Sequence, residues 1–149
     1  MLLSDWAELR LDILRAALSE MQQGDAPVRE ILRRLLLKSL EEPTRSRAMA
    51  RCRLLGLLGS EPIAGLVQGT ASRARQILSE IMAAGQRRGE IRRDAAASDL
   101  AQLFQQTFFG FLHLWVLMPG QTLSRRLNTA FDLFWAAAVP PMRSGESAR

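Results

Sequence analysis

Twelve consecutive residues, Thr107 to Met118, contain only two polar side chains, Thr107 and His113. A helix apolar on every side cannot lie at the surface of an isolated domain. It needs cover on two sides, one from its own core and one from something else. The run is well short of the roughly 18 residues that mark a transmembrane helix. A partner chain or a small molecule is therefore the expected second cover.

The rest of the 149-residue chain sets the frame for that segment. Its length suits one domain with a sizeable core. Apolar residues recur at helical spacing throughout, and no stretch alternates like a strand. The expected fold is all-α, a bundle of about six helices. The first helix is predicted over Leu2–Gln22, with Leu2, Trp6, Leu9, Ile13, Ala17 and Met21 on its inner face. The second covers Pro27–Glu41, with Val28, Ile31, Leu32, Leu35, Leu36 and Leu40 as its stripe. A shorter third helix, Thr44–Leu58, presents Ala48, Met49, Cys52 and Leu55. The fourth runs from Glu61 to Arg88 and is stopped by Gly89. The fifth starts near Asp94 or Ser98 and ends at Met118, before the Pro119-Gly120 turn. The sixth covers Gln121–Val139 and ends at Pro140-Pro141. Residues 1–139 make one helical domain, and residues 140–149 are expected to be a disordered tail.

Catalytic chemistry finds little footing. The chain holds one Cys and one His, too few for a usual zinc site. Glu41 and Glu42 are adjacent and so point to different helical faces, which makes them poor partners in acid–base catalysis. No glycine-rich loop follows a strand. The expectation is no enzyme, no metal and no cofactor. Cys52 is expected to act as a small buried hydrophobe. With one cysteine and no basic, apolar leader, a reducing cytoplasm is the expected compartment, with no membrane association.

The net charge of +5 comes from a surplus of arginine, Lys38 being the single lysine. Arg45, Arg47, Arg51 and Arg53 form the densest group. Acidic residues are interspersed among most of the others, so a solvated helical surface is preferred to nonspecific nucleic-acid binding.

Two features stand out. Aromatic rings cluster on the fifth helix (Phe104, Phe108, Phe109, Phe111, Trp115) and the sixth (Phe131, Phe134, Trp135). The fifth helix is also two-sided at 100° per residue. Phe104, Phe108, Phe111, Leu112 and Trp115 share one side; Leu103, Gln106, Gly110, His113, Leu114 and Leu117 share the other. The aromatic side is read as facing a core or pocket. The glycine-bearing side is read as a subunit interface, with His113 preferred there over a ligand contact.

The segment AAGQRRGEIRRDAAASDLAQLFQQTFFGFLHLWVLMPG resembles the C-terminal half of TetR-family transcriptional repressors. The resemblance lies in the Gly89-Glu90-Ile91-Arg92 connection, the acidic start at Asp94–Asp99 and the apolar helix Leu100–Met118 with its central glycine. The Pro119-Gly120 turn and a final amphipathic helix complete it. Extended over Leu2–Val139, the resemblance implies an all-α effector-binding domain of a bacterial regulator. It also implies a homodimer in which the last two long helices join the partner's pair in a four-helix bundle. By this analogy a hydrophobic or aromatic effector would meet Trp6, Leu9, Ile13, Leu32, Leu36, Met49, Cys52, Leu78, Met82, Phe104, Phe108, Phe111 and Trp115. The dimer contacts would be Leu103, Gln106, Gly110, His113, Leu114, Leu117, Leu123, Leu127, Phe131 and Phe134. The family's N-terminal helix-turn-helix module has no counterpart ahead of Met1, so specific operator binding is not expected of this chain alone. The rival expectation is a ligand-free helical module that forms mixed dimers with a full-length regulator.

Overall fold

The computed structural model describes residues 3–118, 120 and 123–142. Leu2, Pro119, Gln121, Thr122 and the expected tail from residue 143 onward lie outside the described residues. Six α-helices, and no strand, are found among those described: α1 (Leu3–Gln23), α2 (Val28–Glu41), α3 (Arg47–Gly59), α4 (Glu61–Arg87), α5 (Ala97–Leu117) and α6 (Leu123–Ala138). A single 3-10 turn, Pro43–Arg45, sits between α2 and α3. No described helix is long and apolar enough to cross a membrane.

Helix α4 is the axis of the bundle. It packs against α1 on one side and α5 on the other, with α3 against its first half. The α2 stripe is buried as its spacing predicts, from Val28 through Leu40, while Arg29, Arg33 and Arg34 stay exposed. Arg29 and Arg33 reach Asp132 (3.1 Å) and Asn128 (2.9 Å) on α6. Such exposed polar pairs add little stability but hold α2 beside α6.

Helix α1 is turned by about one residue from its expected face. Its buried line is Ala7, Leu11, Leu14, Ala17 and Met21 with Trp6 at the edge; Leu9 is exposed and Ile13 only half-buried. The apolar arc of α1 is wide enough for two stripes of similar quality. Packing against α2 and α4 selects the Leu11–Leu14 stripe. Helix α3 is likewise turned. Ala50 is its one buried residue, and Met49, Cys52 and Leu55 are exposed. Cys52 is therefore not the buried hydrophobe expected.

Tertiary contacts supply several helix ends that local sequence leaves open. Pro27 occupies the N-cap position of α2 without a capping side chain. The Val28 N–H instead donates to the Glu90 carboxylate, 2.9 Å away and 62 residues on. This satisfies one of the unpaired amides at a helix start. Ser46 accepts from the Met49 N–H and caps α3. Ala96, not Asp94 or Ser98, stands at the N-cap of α5. Asp94 instead takes the Arg92 guanidinium, which holds its carboxyl below the usual range. That small contribution is present above the ordinary carboxylate range and is lost as pH falls through the lowered value.

The α4–α5 connection is the most heavily tied loop. Gly89 takes a positive φ of 75°, and the Gly85 carbonyl accepts from the Glu90 and Ile91 N–H groups. This is a glycine-based helix stop. The Arg88 guanidinium donates to the carbonyls of Met21 (2.6 Å), Gly24 (2.6 Å) and Ala26 (2.9 Å), closing the α1–α2 turn. Gln86 donates to the Arg92 and Ala95 carbonyls, and the Arg92 N–H donates to Ala138 at the end of α6. One loop thus joins three helix ends.

Gly85 is also a packing requirement. A Cβ there would stand 2.6 Å and 2.9 Å from two side-chain atoms of Ile91 and 3.3 Å from Val28. Ile91 is itself almost fully buried, so it has little room to yield. Gly85→Ala is expected to destabilise the fold by about 1–3 kcal/mol, read from the urea midpoint at unchanged m-value.

Candidate functional site

Two apolar recesses flank α5, and they draw on different residues from those expected. The first is a narrow cleft between α1, α3, α4 and α5. Trp6 forms its α1 wall, Leu54 and Leu57 its α3 wall, Val67 its α4 wall, and Phe109, Leu112, His113 and Val116 its α5 wall. Its free volume is only about 50 Å³. Ligand pockets typically offer about 300–1,000 Å³, so this one is contracted.

The wall most able to move is α3. It buries one residue, while Leu55 and Leu58 project away from the bundle. Few buried contacts mean a low cost of local opening. Gly65 and Gly69 add to this in the first half of α4, where a Cβ would meet nothing within 4 Å. Alanine at both positions is expected to stabilise the chain by about 1–2 kcal/mol in total, from the helix-propensity difference alone. The gain should appear as slower amide exchange in Glu61–Thr70 before it appears in the global melt.

Beside the cleft lies a cationic centre that pattern reading missed. Arg10 is only 5% exposed. Its guanidinium lies 4.4 Å from the Phe108 ring centroid, 4.7 Å from Phe109 and 5.9 Å from Trp6. These are cation–π distances. Among the described residues no carboxylate pairs with it. Burial alone lowers its pKa to about 10. Between that lowered value and the ordinary arginine range the unfolded chain binds more proton, so this group adds stability as pH rises there. At neutral pH the charge is a cost to the fold. The signal was available: Trp6, Ala7, Arg10, Leu11 and Leu14 share one helical face, and Arg10 interrupts it.

Arg53 approaches Trp6 from the α3 side, 5.8 Å from the ring. Unlike Arg10 it is neutralised. Its two terminal nitrogens bond both oxygens of Glu42 at 2.7 Å and 2.8 Å, a bidentate pair with both side chains 16% exposed. Arg47 lies over the Trp115 ring at 4.9 Å. Several of the chain's arginines are thus spent on internal contacts.

The second recess is an open groove of about 850 Å³ between α5 and α6. Gln106, Gly110, Phe111, Leu114 and Trp115 line it from α5, and Leu123, Arg126, Ala130 and Leu133 from α6. Leu103, Leu114, Leu117, Met118 and Leu133 are exposed along this side.

The expected pocket residues are therefore dispersed. Leu32, Leu36, Leu78, Met82, Phe104 and Phe108 are buried in the core and line neither recess. Met49 and Cys52 are exposed, Leu9 is exposed, and Ile13 borders a shallow groove between α1 and α2. Phe111 and Trp115 line the α5–α6 groove, and only Trp6 lines the cleft. Among the expected interface residues, Leu103, Gln106, Gly110, Leu114 and Leu117 lie exposed together on α5. Leu127, Phe131 and Phe134 are instead buried against the chain's own core, where Phe104 and Phe134 meet edge to face at 5.2 Å. His113 turns toward the cleft, beside Phe109. Leu54, Leu57, Val67 and Val116 were not singled out because their roles depend on how α3 crosses α4 and α5.

Among the described residues no group of three or more His, Cys, Asp or Glu is placed to hold a metal ion. No family model, no curated protein and no solved structure matches this chain.

Proposed function

We propose that this chain is the effector-binding and dimerisation domain of a TetR-like transcriptional regulator. The observation that carries the reading is the division of labour on α5. Phe109, Leu112 and Val116 wall a narrow, largely apolar cleft with a loosely held helix across it. Leu103, Gly110, Leu114 and Leu117 form an exposed apolar face on the opposite side, continued by Leu133 of α6. A face of this kind calls for cover by another chain. A second copy bringing its own α5 and α6 would cover it with a four-helix arrangement. Gly110, which has nothing near its missing Cβ, would admit a close helix. The cleft would take a small apolar effector once α3 withdraws. None of the six helices is assigned to operator DNA in this reading.

The small size of the cleft favours one alternative, a helical dimerisation module that binds no effector. Light scattering on the purified chain, combined with thermal melts across a panel of small hydrophobic compounds, separates the two. The effector-binding domain should scatter as a dimer and melt higher with some compounds. A dimer that ignores the whole panel and exchanges subunits with a full-length regulator would favour the alternative. A strict monomer would sink both.

A further inference from the structure

Two guanidinium groups flank Trp6, and they differ in one respect. Arg53 already has its carboxylate, Glu42. Among the described residues Arg10 meets only the ring faces of Phe108, Phe109 and Trp6. A guanidinium offers five N–H donors in a planar fork, suited to a carboxylate. Rings satisfy its charge in part and its donors hardly at all. No described buried side-chain nitrogen is sealed off without a partner, so the Arg10 donors keep a narrow opening despite their burial. Two of its three rings, Trp6 and Phe109, also wall the cleft. The rest of the lining is largely hydrocarbon, with Leu54, Leu57, Val67 and Leu112, and its polar groups are His113 and Arg53, the latter already paired with Glu42.

We infer that the cleft takes a monocarboxylate with an apolar body, its carboxylate pairing with Arg10 and its body lying against Leu57, Val67 and Leu112. The inference rests on the effector-binding reading above and names the chemistry of that effector. The anion would supply the counter-charge that the fold withholds. Burial already disfavours the lone cation, so an arriving carboxylate is rewarded more than at an exposed arginine. A neutral ligand of the same shape would gain only the apolar contacts.

The test is titration of the full chain with 2-naphthoate and decanoate, each against its own primary amide. Tryptophan fluorescence and thermal shift serve as readouts. At least one acid should bind tenfold or more tightly than its amide. Arg10→Met should erase that ratio, leave amide binding within about twofold, and melt no lower than the parent, since it removes an uncompensated buried charge. Arg10→Lys should keep part of the ratio, and Leu57→Trp, which fills the cleft, should abolish both acid and amide binding. Equal affinity for acid and amide would overturn the carboxylate inference while leaving an apolar effector site standing. Persistence of the ratio in Arg10→Met would move the anion contact elsewhere and overturn it too. Binding of neither acid nor amide would overturn the cleft as an effector site altogether. Should Arg10→Met fail to fold, the parental ratio and its reduction in Arg10→Lys decide the matter.

Discussion

Phe108→Ala is expected to destabilise the chain by about 3–5 kcal/mol, the usual cost of emptying a buried phenylalanine site. For a domain of this size that corresponds to a drop in Tm of the order of 10 °C. Phe108 is 2% exposed and meets Phe109 edge to face at 5.2 Å. It also carries the nearest of the three rings around Arg10. Its loss therefore opens a cavity and bares one face of a buried charge. The two effects act at one place and should not be additive. Combining Phe108→Ala with Arg10→Met separates them. If the cation is part of the cost, the double variant should recover some of the loss. A Phe108→Ala variant that melts like the parent would mean that this ring is not core, and the packing of α1 on α5 would have to be redrawn. Trp115→Ala is the natural control. Trp115 is half-buried on the groove side, with Arg47 above it, and its removal should cost the isolated fold much less.

Leu114→Glu combined with Leu133→Glu should convert the proposed dimer to a monomer. The two leucines are 51% and 68% exposed in the single chain and line the same groove. Each fully covered leucine contributes about 1.5–3 kcal/mol. In a symmetric dimer each substitution occurs twice. The combined loss, with four carboxylates to desolvate, amounts to at least about 6 kcal/mol, or more than a ten-thousand-fold weaker association. Sedimentation velocity at micromolar concentration reads the change directly. Helicity should stay close to the parent's, because neither side chain belongs to the buried core. A double variant that remains dimeric would place the partner on another face, with the exposed Met49, Leu55 and Leu58 of α3 as the next apolar surface.

The legibility of the fold in the sequence varies from helix to helix. Helix α2 was fully legible: one apolar stripe, charged residues elsewhere, and a proline at each end. The two-sidedness of α5 was legible in part: 100° steps separate the buried Phe104 and Phe108 from the exposed Leu103, Gly110, Leu114 and Leu117, but Phe111 and Trp115 line the outer groove and His113 turns to the cleft. Helix α1 was half legible. Its arc carries apolar residues over so many positions that periodicity admits two stripes, and only the neighbours choose. Helix α6 was legible in phase and misread in purpose. Leu127, Phe131 and Phe134 form one face as expected, but the core of the same chain claims that face. Phase tells which residues go together; it does not tell whether their cover comes from within the chain or from a partner.

The apolar run from Thr107 to Met118, the absence of strand alternation and the Pro and Gly breaks determined an all-α fold with six helices among the described residues, because helical period and helix stops are local properties. Tertiary structure decided what lies across space. The Glu90 cap on α2 and the Arg88 bonds into the α1–α2 turn join residues more than 60 apart. The rings that surround Arg10 come from α1 and α5, helices far apart in the sequence. A cleft is a gap between surfaces, and its shape depends on crossing angles and side-chain volumes that no single helix encodes. For that reason the chain announced its helices residue by residue, while the cleft and its buried cation emerged only from their packing.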